Sequence, residues 1–192
     1  MDYPIIKYGI IRHRIQTKDD CGIFAMCRFM ELAYRQKGVD VYFNEKDLEE
    51  KLIMAGLKKH DGGIDSYKIF KYIKENGFQG YKIKGFVKFR KRVDNAYITN
   101  AANQFNVDLT RRRLIRGALY LSMRVFRKKS ERVSGNYYKM LPRTKTPARH
   151  AVVIVGWDGD GFEIQDSNYD KTHILRVEDF NQCAQEIYSI RT

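Results

Sequence analysis

The stretch His150–Asp166, HAVVIVGWDGDGFEIQD, decides how the rest of the chain is read. Ala151 to Val155 is a continuous apolar run of β-branched character, which predicts a buried strand. Asp158-Gly159-Asp160-Gly161 is a hairpin turn signal, and Phe162 to Gln165 is the returning strand. An antiparallel return places His150, at the start of one strand, beside Asp166, at the end of its partner. That is the pairing an imidazole base and its orienting carboxylate require. A histidine beside a core strand is commonly structural, and it is the aspartate at matched register that points to chemistry.

A nucleophile for that base lies early in the chain. Thr17-Lys18-Asp19-Asp20 reads as a polar loop ending in a helix cap, and Gly22 to Met30 as a largely apolar, buried helix. Cys21 therefore stands at a helix N-terminus, where unpaired N–H groups and the dipole favour thiolate over thiol. Asp20 opposes this. Its carboxylate raises the thiol pKa unless it turns away to cap the helix, and the sequence leaves both arrangements open. Gln16, five positions before Cys21, offers an amide donor for an oxyanion. Cys21, His150, Asp166 and Gln16 are together the residue types of a thiol hydrolase: nucleophile, base, orienting group and oxyanion donor.

With these residues in place, the chain resembles the papain-like cysteine proteases. Cys21-Gly22-Ile23-Phe24-Ala25 is similar to that family's nucleophile segment, and His150-Ala151-Val152 with Val155-Gly156-Trp157 to its histidine strand. The Cys21–His150 separation is of the order described for such enzymes, about 130–150 residues. Phe43 to Leu48 resembles the start of the family's second helix, Gly62-Gly63 followed by Phe70 to Gly77 its glycine pair and next helix, and Val133 to Tyr137 the stretch before the histidine. The resemblance runs over about residues 10–170, and its specificity lies in the order of the motifs. It departs from the family at four places: Gln16 is one residue closer to the nucleophile, Gly22 replaces an aromatic, Asp166 stands where Asn is usual, and Asn168 where Trp is usual. Asn168 is the substitute orienting group if the register slips by two. Asp166-Ser167 is also similar to the Gln-Cys-His-Asp set of the bacteriocin-processing peptidases.

The resemblance implies an α+β, papain-like fold of two lobes in a single domain over residues 1–192. A helical lobe of about residues 16–90, with the nucleophile helix at its centre, would pack on a strand-rich lobe of about 91–192 joined by the N-terminal segment, with a cleft between them. It further implies a cysteine endopeptidase acting through a thioester, with Gln16 and the Cys21 N–H in the oxyanion hole and Gly62 and Gly63 bonding an extended substrate. Arg149, beside the histidine, suggests acidic groups in that polypeptide. Two alternatives come from other classes: a catalytically lapsed peptidase fold that binds nucleic acid, and a thiol acyltransferase or transglutaminase-like enzyme, because a thioester passes to amines as well as to water.

Local patterns agree with this order of elements. A first helix is predicted over 21–37, a second from the Asn44 cap to about Leu57, and a third from Asp65 or Ser66 to Gly77. Alternation from Tyr81 to Phe89 predicts a strand, and Leu109 to Phe126 mixes helix with strand signals. Helices first and strands later make the chain α+β.

Composition bounds what remains. The 192 residues bury a sizeable core, and three cysteines (Cys21, Cys27, Cys183) are too few and too odd for a disulfide framework, so a reducing, cytoplasmic setting is expected. Met1 to Lys7 has no signal-peptide pattern, no membrane run is present, and no propeptide length precedes Gln16. A viral or virion-associated role would suit such a chain. No cofactor is expected, and His13, His60 and His173 lack ligand-like spacing with the cysteines, so no metal is assigned. The formal charge of +13 concentrates at Lys88 to Arg92, Arg111-Arg112-Arg113 and Arg127-Lys128-Lys129. Such runs form either a solvated face or a surface for nucleic acid or another polyanion.

Overall fold

A computed structural model describes residues 6–8, 20–58, 64–90, 107–125, 132–139 and 148–192. In chain order the elements are β1 (Ile6–Lys7), α1 (Cys21–Arg35), α2 (Glu45–Met54), α3 (Ser66–Asn76), β2 (Gly85–Arg90), α4 (Val107–Leu114), β3 (Leu119–Val125), β4 (Val133–Ser134), β5 (Tyr137–Tyr138), β6 (Ala148–Trp157), β7 (Gly161–Gln165), β8 (Thr172–Arg176), α5 (Val177–Cys183) and β9 (Ala184–Arg191). The chain is α+β. Helices α1 to α3 precede one mixed sheet of order β2-β9-β3-β6-β7-β8-β5-β4, with β1 added against the far end of β6.

The run Ala151–Val155 is apolar throughout because both faces of β6 are covered. Ala151, Val153 and Val155 join Tyr120 of β3 in a core under α1, whereas Val152 and Ile154 join Leu119, Leu121 and Met123 in a second core with Phe162 and Phe180. Helix α1 is buried almost all round, including Ile23, Met26, Phe29 and Met30, since it lies between the other helices and the sheet. Inside that layer Arg28 pairs with Glu31 and Glu45, and Glu31 also accepts the Phe43 N–H at 2.9 Å, so the buried charges brace α1 against the start of α2. Phe70 of α3 stacks on Tyr188 of β9, ring centroids 4.6 Å apart, and meets Phe29 of α1 edge-on at 5.9 Å, which joins the helices to the sheet through aromatic faces.

The helix ends follow local chemistry. Asn44 Oδ1 accepts the N–H groups of Lys46 and Asp47, and Asp65 Oδ1 those of Tyr67 and Lys68. Gly77 ends α3 at φ +73°, where a side chain would also meet the Tyr81 carbonyl. The mixed signals of Leu109–Phe126 resolve into α4 and β3 across the turn at Gly117. Among the described residues no helix is long and apolar enough to cross a membrane.

Candidate active site

Cys21 is the first residue of α1 and is partly exposed, whereas Cys27 and Cys183 are fully buried. The sulfur therefore stands on the first turn of α1, where the Ile23 and Phe24 N–H groups bond the Asp20 carbonyl. Strand β6 starts alongside, bringing the His150 ring and the Ala151 N–H into hydrogen-bond contact with Sγ. Burial opposes ionisation of this thiol. The hydrogen bond and charge of His150, with the Ala151 N–H, outweigh burial and hold its pKa below the ordinary thiol value.

On the other side of the ring, His150 Nε2 lies 2.8 Å from Asp166 Oδ2, which leaves Nδ1 for the sulfur. The turn at Asp158 sets this alignment: its Oδ1 accepts the N–H groups of Asp160 and Gly161, both at 3.0 Å, and closes the β6–β7 hairpin. The register is not the matched one expected: with Val153 paired to Gln165, Asp166, the residue after β7, falls opposite Val152, and its carboxylate reaches the imidazole on a diagonal. Burial alone would discharge the imidazolium. The carboxylate of Asp166, and then the sulfur of Cys21, reverse that and push His150 up to about 9.

Asp166 is fully buried and multiply bonded. Its Oδ1 accepts the Asn168 backbone N–H at 2.9 Å and the Asn168 side-chain amide at 3.1 Å, and its Oδ2 accepts the Tyr138 hydroxyl at 3.1 Å. Burial would raise its pKa, but His150 and these donors bring it below the ordinary carboxylate range. Asn168 Nδ2 is also 3.4 Å from His150 Nε2, so Asp166 makes the short contact with the ring and Asn168 supports it. Tyr138 was not legible as part of this site, since the motif before the histidine drew attention to Tyr137. Its signal is the adjacent Tyr-Tyr pair, in which Tyr137 is half-buried under the Arg176 guanidinium and Tyr138 is fully buried.

Three more residues complete the surroundings. Ile64 fills the space left by Gly22: a Cβ at Gly22 would lie 2.2 Å from Ile64 Cδ1. Tyr120 and Ser66, bonded to each other at 2.9 Å, lie buried beneath. Asp20 occupies the cap position of α1 but makes no side-chain cap bond; its carboxylate pairs with Lys58 Nζ at 3.2 Å. Arg149 is exposed and pairs in register with Arg124 of β3, also exposed. Gln16, Gly62 and Gly63 lie outside the described residues, as do His13, His60, Lys91, Arg92 and residues 127–129. His173 is buried and packs on Tyr169, and among the described residues no group of three His, Cys, Asp or Glu side chains is placed to hold a metal ion. Of the basic run in α4, Arg111 stacks on Trp157 with its guanidinium 3.8 Å from the ring centre, and Arg113 lies over Phe89 at 5.2 Å, so both serve the packing of the domain.

No protein-family model matches the sequence, and no curated protein sequence matches it. Solved structures do. Xylellain, a cysteine protease from Xylella fastidiosa, superposes with a TM-score of 0.71 at 15% identity, over 99% of this chain and 86% of that one. The Carica candamarcensis cysteine protease CMS1MS2, in complex with E-64, gives 0.69 at 14% identity over 98% of both chains. The Amb a 11 cysteine protease, a major ragweed pollen allergen, in its proform gives 0.68 at 13% identity, covering 100% of this chain and 66% of that one. With Cys21 at the head of the central helix and His150 on the facing strand, the chain has the papain-like fold.

Proposed function

We propose that this protein is a cysteine endopeptidase in which Cys21, His150 and Asp166 act as a triad. The observation that carries the reading is the hydrogen-bonded row Cys21–His150–Asp166 at the N-terminus of α1, with the thiol pKa lowered and the imidazole pKa raised. That combination favours a thiolate–imidazolium pair at neutral pH. The thiolate attacks the scissile carbonyl carbon, and the tetrahedral oxyanion is held by the Cys21 N–H and Gln16, each such donor typically worth about 3 kcal/mol of barrier. Imidazolium then gives its proton to the departing amine as the C–N bond breaks, leaving a thioester. Neutral His150 takes a proton from water, the hydroxide adds to the thioester, and the acid leaves with the thiol restored. Asp166 keeps the ring in one orientation and stabilises its charged form.

Gly62 and Gly63 would bond the backbone of an extended peptide. Arg149 and Arg124 would favour an acidic side chain near the scissile bond: like charges directly opposite on a sheet disfavour one another, and a substrate carboxylate relieves that. The test is cleavage of a peptide library by the wild type, with Cys21→Ala and His150→Ala as controls. Both variants should fold and lose hydrolysis. Full activity in either ends the peptidase reading. Adding a primary amine and analysing the products separates transfer from hydrolysis.

A further inference from the structure

The cap position of α1 holds a residue well suited to capping that does not cap. Aspartate is among the preferred N-cap residues, because its carboxylate accepts the N–H groups of the first turn. At Asp20 the backbone carbonyl takes those of Ile23 and Phe24, at 2.9 and 3.1 Å, while the side chain makes no cap bond. The carboxylate is instead held by Lys58, whose ammonium lies 3.2 Å from Asp20 Oδ1 and 2.7 Å from Glu49 Oε1. The Lys58 side chain is 2% exposed. Its backbone is fixed too, since the Lys58 N–H bonds the Leu52 carbonyl at the end of α2. A buried ammonium needs carboxylate partners, and here it draws one from the helix that carries the nucleophile.

From this geometry we infer that Lys58 is a positioning residue for the Cys21 thiolate: by holding the Asp20 carboxylate off the first turn of α1, it leaves the helix N-terminus to the sulfur and to the oxyanion formed there. The inference rests on Cys21 being the reactive thiol. The groups that act on its ionisation are His150, the Ala151 N–H and Asp166 from the hairpin; Tyr120 of β3 feels its charge, and the Asp20–Lys58–Glu49 cluster sits at the head of its helix. Of these, Asp20 is the one whose charge is free to swing onto the α1 amides once its partner is removed. There it would compete with the thiolate for the same donors and repel it.

The experiment measures the thiol pKa of the intact protein from thiolate absorbance and from the pH dependence of iodoacetamide alkylation of Cys21. It compares wild type with Lys58→Met, Lys58→Arg, Asp20→Asn and the double variant Asp20→Asn with Lys58→Met. Lys58→Met should raise the thiol pKa and slow alkylation on the acid limb of the profile by roughly tenfold for each unit of rise. Lys58→Arg should retain most of the wild-type profile. The double variant should return most of the way to wild type, because the amide introduced by Asp20→Asn still accepts helix N–H groups but no longer repels the thiolate. A role in stability alone predicts a lower melting temperature in both Met variants with an unchanged thiol pKa, and that result, or a pKa raised equally in the double variant, overturns the inference. The titration reads the thiol whether or not peptides are cleaved, so a wild-type protein without peptidase activity defeats the proposed function and leaves this comparison standing.

Discussion

Replacing Asp166 by Asn keeps the side-chain shape and one acceptor oxygen and removes the charge, which isolates what the carboxylate does for His150. The rise of the imidazole from 6.5 to about 9 corresponds to roughly 3 kcal/mol in favour of its charged form. Burial works against that form, so the whole gain comes from Asp166 and, behind it, from the sulfur of Cys21. Without the carboxylate, burial regains control and the imidazole falls to about its ordinary value or lower. The thiolate–imidazolium pair exists only between the thiol pKa below and the imidazole pKa above, so its window narrows from the alkaline side. In Asp166→Asn the upper limb of the pH profile for Cys21 alkylation should move from near 9 to about 6.5 or lower, and the rate at pH 7.5 should fall about tenfold or more, since only about a tenth of the imidazole stays charged one unit above its pKa. Cys27 and Cys183 are both 0% exposed, so the reagent reports on Cys21. The stability consequence has a definite sign. A folded-state pKa raised above the unfolded value stabilises the fold fully below about pH 6.5 and loses that contribution as the pH rises through about 9. The gap between the denaturant midpoints of wild type and variant should therefore be widest below pH 6.5 and close toward pH 9. A natively folded Asp166→Asn protein with the wild-type alkaline limb would refute the assignment of His150 and Asp166 as a charged pair.

Tyr138→Phe removes a hydroxyl that donates to a buried carboxylate, so it should cost about 1.5–3 kcal/mol of stability in urea unfolding and lower turnover with Cys21 still alkylatable. Gly22→Ala should destabilise by roughly 1–3 kcal/mol, because its Cβ enters the space of Ile64, and adding Ile64→Ala should recover most of that loss in the same melt. Arg111→Gln should lower the melting temperature by removing the guanidinium from the Trp157 face, an interaction of about 0.5–2 kcal/mol, whereas exposed Arg112→Gln should leave it nearly unchanged. Equal effects of the two arginine replacements would show that the stacking does not support the fold.

The elements that local chemistry controls were readable from the chain itself. Apolar spacing, the Asn44 and Asp65 caps, the Gly77 stop and the Asp158–Gly161 turn act within a few residues, so α1, α2, α3 and the β6–β7 hairpin follow from their own segments. That hairpin also brought Asp166 near His150, although the Val153–Gln165 pairing puts the carboxylate opposite Val152 and on a diagonal to the ring. The sequence offers Asp166 first and Asn168 as its substitute, and the ring lies 2.8 Å from the former and 3.4 Å from the latter. Segments distant in sequence decided the rest. Tyr138 meets Asp166 only because β5 joins the sheet beside β8, and Ile64 fills the space over Gly22 from the loop before α3. The open question at Asp20, cap or no cap, was settled by a lysine at the far end of α2: the competition between helix amides and a buried ammonium for one carboxylate exists only after the chain has folded.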